Sequence, residues 1–309
     1  MKRRIFLPVF AAGAPCLAAR AAFLQPPPQE LDETIKLEVT RVNLLFTVTD
    51  RRGRFVNNLA REDFDLIENK RRQNVIEFSS ESDLPLRIAL LIDVSNSIRD
   101  RFRFELEAAG EFLQRVIRPR VDKALLYSFH TEPELVVPLT DDTELLAKKL
   151  RDLRPGGGTA MYEALYLACR DHLMLDQPRY KYRRAVIIIG DGEDNSSRFT
   201  RDQALEMAYR AETVIYAIST NISRVETDGD KVLKYYARET GGRAFFPFKA
   251  EDLAQDFENI ANELRSQYSI LYRPDPLVTD GRFHPVELRV RGRRDLFVRA
   301  RRGYYAPKL

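Results

Sequence analysis

Cysteine and histidine are scarce, with two and three copies among 309 residues. Cys16 lies in a segment expected to be removed, so the mature chain would keep only Cys169 and could not close an internal disulfide. A lipid-carrying role for Cys16 fits poorly, because Pro15 stands directly before it. Cys169 falls in an apolar stretch of helical periodicity and reads as a small buried hydrophobe rather than a reactive thiol. His130, His172 and His284 are scattered without metal-ligand spacing, which removes them as site candidates. There is no Gly-x-Ser-x-Gly elbow, and no lysine in the glycine-rich loop from Pro155 to Met161, so neither a serine hydrolase nor a phosphate-binding P-loop is indicated. Nor does any apolar run reach the about 20 residues that a membrane-spanning helix needs.

What is present is the composition of a soluble globular protein, 31% charged and 44% hydrophobic. The start of the chain differs from the rest. Lys2, Arg3 and Arg4 precede an apolar stretch from Ile5 to Ala19, and Ala19 and Ala21 are placed like a signal-peptidase site. Residues 1–22 therefore read as an export signal, with a periplasmic, envelope-associated or secreted destination and no transmembrane helix in the mature chain. Arg3-Arg4-Ile5-Phe6-Leu7 is compatible with twin-arginine export, and the general secretory route stays open. Pro26-Pro27-Pro28 marks a stiff linker at 23–34.

From 35 to 82 apolar residues alternate. Leu37, Val39, Val42, Leu44, Phe46 and Val48 are spaced mostly by two, then Phe64, Leu66, Ile67, Val75 and Ile76 follow, which predicts a few antiparallel strands with one wet face. Between 84 and 265 apolar runs alternate with segments of helical period, the mark of a doubly wound α/β sheet, mostly parallel, with six strands. The runs Ile88–Ile92 and Ala185–Ile189 are continuous, as expected of strands covered on both faces. Ala124–Tyr127, Val214–Ile218 and Ala244–Phe246 read as further strands. Helices are expected at Arg101–Ile117, Thr143–Leu153, Met161–Leu173, Arg201–Arg210, Lys231–Glu239 and Leu253–Leu264. From 267 to 306 alternation returns, with Val286, Leu288 and Val290 opposite Glu287, Arg289 and Arg291. Neither β segment has enough strands to bury a face well alone, so the two are expected to pair. The α/β unit would then be inserted in a small β-sandwich-like domain.

The strand Ile88–Ile92 runs into Asp93-Val94-Ser95-Asn96-Ser97, at the carboxyl end where such sheets bind ligands. Alone this string is weak, since most copies are a turn with a helix cap. The second apolar strand also ends in an aspartate, Asp191, and two facing carboxylates imply a cation or a raised pKa. Between them the loop Pro155-Gly156-Gly157-Gly158-Thr159 brings a hydroxyl toward the same point. Taken together and in order, Asp93, Ser95, Ser97, Thr159 and Asp191 resemble the metal-ion-dependent adhesion site of von Willebrand factor A domains. The ending Arg302-Gly303-Tyr304-Tyr305 is similar to the bacterial exported proteins related to that domain.

The resemblance implies a Rossmann-like fold and Mg²⁺ held by hydroxyls and carboxylates, with Mn²⁺ or Ca²⁺ as alternatives. It also implies an open coordination position for the Glu or Asp of a protein partner. The expected role is thus a non-enzymatic adhesion or protein-binding module of the cell envelope. Two alternatives compete: a metal-assisted hydrolase, which lacks a general base, and a structural protein whose β domain does the binding. Glu193 and Asp194, beside the site, read as loop acids that cap the following helix. From Arg282 to Leu309 nine Lys or Arg face two acids. Such alternating arginines usually form the solvated face of a strand, and no nucleic-acid motif accompanies them.

Overall fold

A computed structural model describes residues 41–80, 84–95, 102–223 and 225–308. The expected signal, the linker, the strand positions Leu37 and Val39, and Ser97 lie outside the described residues. The first strands are β1 (Val42–Thr49), β2 (Phe64–Glu68), β3 (Arg71–Arg72) and β4 (Val75–Ser79). There follow β5 (Leu86–Asp93), α1 (Phe102–Val116), β6 (Lys123–Phe129), β7 (Pro133–Thr140), α2 (Thr143–Asp152), α3 (Met161–Ala168) and β8 (Arg183–Gly190). Next come α4 (Arg201–Arg210), β9 (Thr213–Ser219), α5 (Asp228–Thr240), β10 (Ala244–Phe245) and α6 (Ala250–Arg265). The last are β11 (Tyr268–Tyr272), β12 (Phe283–Val290), β13 (Phe297–Ala300) and β14 (Gly303–Tyr305).

The α/β unit is a six-stranded sheet in the order β10-β9-β8-β5-β6-β7. All neighbours in it run parallel except β6 and β7. Alternate residues of β5 explain the double winding. Ile88, Leu90 and Ile92 pack among residues of α1, α2 and α6, while Ala89 and Leu91 pack among residues of α3, α4 and α5. A strand buried on both faces must be apolar throughout, which is why β5 and β8 stand out in the sequence. The edge strand β7 had no sequence assignment. Pro133 and Pro138 interrupt its pattern, and an edge tolerates them because one side of its backbone needs no ladder partner.

The helices begin and end close to the expected positions. Thr200 opens α4 by accepting from Gln203 N at 3.2 Å, while Gln203 Oε1 accepts from Thr200 N at 2.9 Å. The helix expected to run from Met161 to Leu173 is α3 followed by a wider turn, Cys169–Leu173. Cys169 is fully buried there, and burial pushes its thiol up to about 12.

The two β segments pair with each other. β1 lies between β11 and β13, with Phe46 opposite both Tyr268 and Ala300, and β12 lies between β2 and β14. The sheets β13-β1-β11-β4 and β14-β12-β2-β3 enclose one core that includes Phe46, Phe64 and Tyr268. Phe46 stacks on Tyr268 at 5.1 Å and meets Phe64 edge-on at 5.0 Å. The expectation of one wet face holds for β2 and β12 but not for β1, where Asn43, Leu45 and Thr47 are buried too. The outer face of β1 lies against the α/β unit, where Asn43 and Leu45 share a small cavity with Glu212, Val214 and Thr240. Among the described residues no helix is long and apolar enough to cross a membrane.

Asp122 ties the start of β5 to the end of α1. Its carboxylate accepts from Leu86 N at 2.7 Å, Arg118 N at 3.0 Å and Arg118 Nε at 2.8 Å. Burial alone would raise its pKa, but the Arg118 side chain and the two backbone donors outweigh it and hold the group below the usual carboxylate range. A depressed folded pKa contributes stability above the unfolded value near about 3.9, and that contribution disappears as pH falls through the folded pKa. Asp122→Ala should therefore cost about 2 kcal/mol at neutral pH in urea unfolding, because it strands a buried N–H. The gap between parent and variant should narrow as pH falls below about 4, through the depressed folded pKa; a gap independent of pH would contradict this account.

Candidate functional site

β5 and β8 are neighbours, with Ile92 opposite Ile189, so the residues that follow them meet at the carboxyl edge of the sheet. Here the chain order reverses, since β6 lies on one side of β5 and β8 on the other. Such a switch point leaves a crevice above the strands. Asp93, fully buried, ends β5, and a Cβ placed on Gly190 would lie 3.0 Å from its Oδ2.

Asp93 Oδ1 accepts from Ser95 N at 2.7 Å. Its Oδ2 is buried and has no hydrogen-bond partner. The carboxyl is pushed up to about 6, first by burial and further by the charge of Asp191; hydrogen bonds from the Ser95 backbone and side chain and from the Asp191 backbone act in the opposite direction. Asp191 in turn accepts from Glu193 N at 3.0 Å.

Thr159, nearly buried, sits on the glycine-rich loop that feeds α3. Gly156 N donates to Val94 O at 2.6 Å, and Gly158 N donates to Thr131 Oγ1 at 3.0 Å. Thr159 N donates to Asn195 Oδ1 at 3.0 Å, while Thr159 O accepts from Asn195 N and Ser196 N. The loop thus bridges the end of β5 to the segment after Asp191. Among the expected ligands, Asp93, Ser95 and Asp191 are brought into contact, Thr159 is held on the adjoining loop, and Ser97 lies outside the described residues.

The acids beside the site cap helices, but not the one that follows them. Asp194 Oδ2 accepts from Tyr162 N at 2.8 Å, and Ser197 Oγ accepts from Glu163 N at 2.9 Å, so both cap α3. Glu193 Oε1 accepts from Gly229 N at 3.1 Å, in the first turn of α5. Thr200 caps α4 instead. This corrects the sequence expectation: a cap is normally sought just before its own helix, and these cross 32 to 36 residues of chain to reach theirs. Arg198 adds a tie to the first turn of α3. Its Nε donates to Glu163 Oε1 at 2.8 Å, and that charge-assisted bond holds the Glu163 carboxyl below its usual range.

Gly192, with φ of +80°, lets the loop turn back against α5, where a Cβ would lie 2.2 Å from Gly229 O. His130 abuts the glycine-rich loop, with its Cβ 3.3 Å from where a Cβ on Gly157 would stand. His172 bonds Tyr127 at 3.1 Å, and His284 lies in the sandwich between Glu68 and Asp280.

Residues 88–193 match the family of the von Willebrand factor type A domain. Over those residues, which run from β5 to just past β8, the chain is similar to that domain. A protein of Borreliella burgdorferi described only as uncharacterized is 27% identical to this chain over 159 residues, 49% of this chain and 44% of that protein. Among solved structures, proximal thread matrix protein 1 of the mussel byssus aligns with a TM-score of 0.51 at 16% identity, covering 63% of this chain and 51% of that one. The vWF domain of the pilus tip protein Mfa5 of Porphyromonas gingivalis gives a TM-score of 0.47 at 16% identity, over 59% of this chain and 95% of that one. The first two proteins are matched over about half their length. At such identities the structural likenesses bear on the fold alone.

Within this unit the donor set is two carboxylates with hydroxyls. Among the described residues no three His, Cys, Asp or Glu converge as a metal centre. Hard oxygen donors without thiolate or imidazole suit a hard divalent cation. Asp93 Oδ2, buried, charged at neutral pH and without a donor, is the kind of atom that such a cation would satisfy.

Proposed function

We propose that this chain is an exported, non-catalytic binding module whose type A domain grips a protein partner through a divalent cation, Mg²⁺ in the first place, held by Asp93, Ser95, Ser97, Thr159 and Asp191. The observation that carries the reading is the orphaned, buried Asp93 Oδ2 at the switch point, beside the Asp191 carboxylate. Hydroxyl ligands add no formal charge, so a bound ion would stay electrophilic and accept the carboxylate of a partner Glu or Asp. The protein's part is to hold the oxygen donors still. The cross-loop caps from Glu193, Asp194 and Ser197 do so by fastening the Asp191 loop to α3 and α5 at once. Periplasm, envelope surface or medium is the proposed location, supported by the export-like start of the sequence. The non-catalytic reading is supported by the surroundings of Asp93, whose hydrogen-bond partners are Ser95 and the Asp191 backbone rather than a base poised to take a proton.

The experiment is capture of an envelope partner on the immobilised protein in Mg²⁺, in EDTA, and with Thr159→Ala. The expected result is capture in Mg²⁺, loss in EDTA, return on adding Mg²⁺ back, and loss in the variant. Capture that resists both EDTA and the substitution would assign binding to the sandwich instead and end this reading.

A further inference from the structure

Six basic side chains, Lys234, Arg238, Arg243, Arg299, Arg301 and Arg302, line a cleft of about 460 Å³. It lies between the end of α5 with β10 and the sandwich strands β12 and β13. One acid, Glu287, shares the lining, and its carboxylate is engaged by Arg289 at 2.6 Å. Three of the six belong to the basic tail that reads, in sequence, as a solvated strand face. Folding instead brings their backbone against the end of α5. A Cβ on Gly241 would lie 2.6 Å from the carbonyl carbon of Ala300, and Arg302 N donates to Glu239 O at 3.0 Å.

Four of these cations have an acid within reach: Arg299 with Glu263, Arg301 with Glu212, Lys234 with Glu226 and Arg238 with Glu239. Arg243 and Arg302 are exposed and make no ion pair within 4 Å among the described residues; Arg243 lies over the Phe245 ring at 4.8 Å, with the Asp256 and Glu263 carboxylates near enough to feel its charge. Deeper in, Arg301 Nη1 and Arg299 Nε are buried donors with no partner. The cleft thus has an excess of positive charge and unmet donors, and planar guanidinium groups match carboxylates in fork geometry.

Both β10 and β13 are edge strands of their sheets. An unpaired edge can take an extended chain through main-chain hydrogen bonds, and apolar residues between the arginines, Val298 and Phe246, offer contacts for alternate side chains. We propose that this cleft binds an extended acidic peptide segment of a partner protein, laid along the β13 edge with its Asp or Glu side chains on Arg243 and Arg302. The site is separate from the metal site. Gly229, which touches the Asp191 loop, is in the first turn of α5, whereas the cleft lining begins at Lys234 and reaches Gly241, about 8 to 18 Å along the helix.

The test is fluorescence anisotropy of a labelled peptide of alternating Glu and Val, measured in EDTA at low ionic strength. The parent and Asp93→Ala should bind alike, and Arg243→Glu with Arg302→Glu should bind about tenfold more weakly or worse. Should that variant fail to fold, Arg243→Gln with Arg302→Gln is read in its place, with a loss in the same direction. Equal affinity in parent and double variant overturns the proposal. So does displacement by inorganic pyrophosphate at matched charge, which would mark a small-anion site. Loss of binding in Asp93→Ala would also overturn it, whereas failure of the metal reading alone leaves this outcome unchanged.

Discussion

Saturating Mg²⁺ should raise the melting temperature of the parent and leave that of Asp93→Ala where it was. A ligand at about 100 times its dissociation constant adds about 2.7 kcal/mol to the folded state. At about 2–4 °C per kcal/mol for a domain of this size, the shift is roughly 5–10 °C. The metal-free comparison is informative as well. Asp93 is fully buried, and its Oδ2 has no partner, so the unloaded protein carries the cost of an uncompensated carboxylate. Alanine removes that cost along with the bond to Ser95 N, so Asp93→Ala in EDTA should melt close to the parent or above it. Scanning calorimetry with Mg²⁺, Mn²⁺, Ca²⁺ and EDTA reads all of this. An unresponsive parent, or an equal response in the variant, would defeat the metal site.

The second large effect is expected from Gly192→Ala. Its φ of +80° costs a residue with a Cβ about 1–2 kcal/mol, and the new Cβ would lie 2.2 Å from Gly229 O, a backbone atom that no rotamer change can move aside. Either the Asp191 loop or the start of α5 must shift, for a total loss of roughly 3 kcal/mol. Gly53 is the matched control, because its φ is +76° but a Cβ there meets nothing within 4 Å. Gly53→Ala should thus show the conformational cost alone. Because Gly192 adjoins Asp191, Gly192→Ala should also blunt the Mg²⁺ response, which Gly53→Ala should leave intact. Equal urea midpoints for the two variants would mean that the close approach is not what holds the loop.

Much of this fold is legible along the chain. Fully buried strands must be apolar in unbroken runs, so β5 and β8 show themselves, and sided helices show a period near four. An aspartate within two residues of the end of each of those runs already points to one shared place, because neighbouring parallel strands end at the same edge of a sheet. β7 escapes the pattern because its prolines obey the rules of an edge, which are invisible until the sheet is assembled. β1 departs from the expected wet face because the partner on its outer face comes from another part of the chain.

Short-range pattern along the chain reveals most element types and the doubly wound class, and strand ends together with the family resemblance point to the candidate donors Asp93, Ser95, Ser97, Thr159 and Asp191. What the described donors touch depends on the closed fold. The orphaned Asp93 oxygen, the caps that Glu193, Asp194 and Ser197 place on helices other than their own, and the gathering of six basic side chains in one cleft all join residues far apart in the chain. Periodicity reports which face of an element is buried. It carries no information about which distant element covers that face, because many partners satisfy the same pattern and only the closed fold selects one.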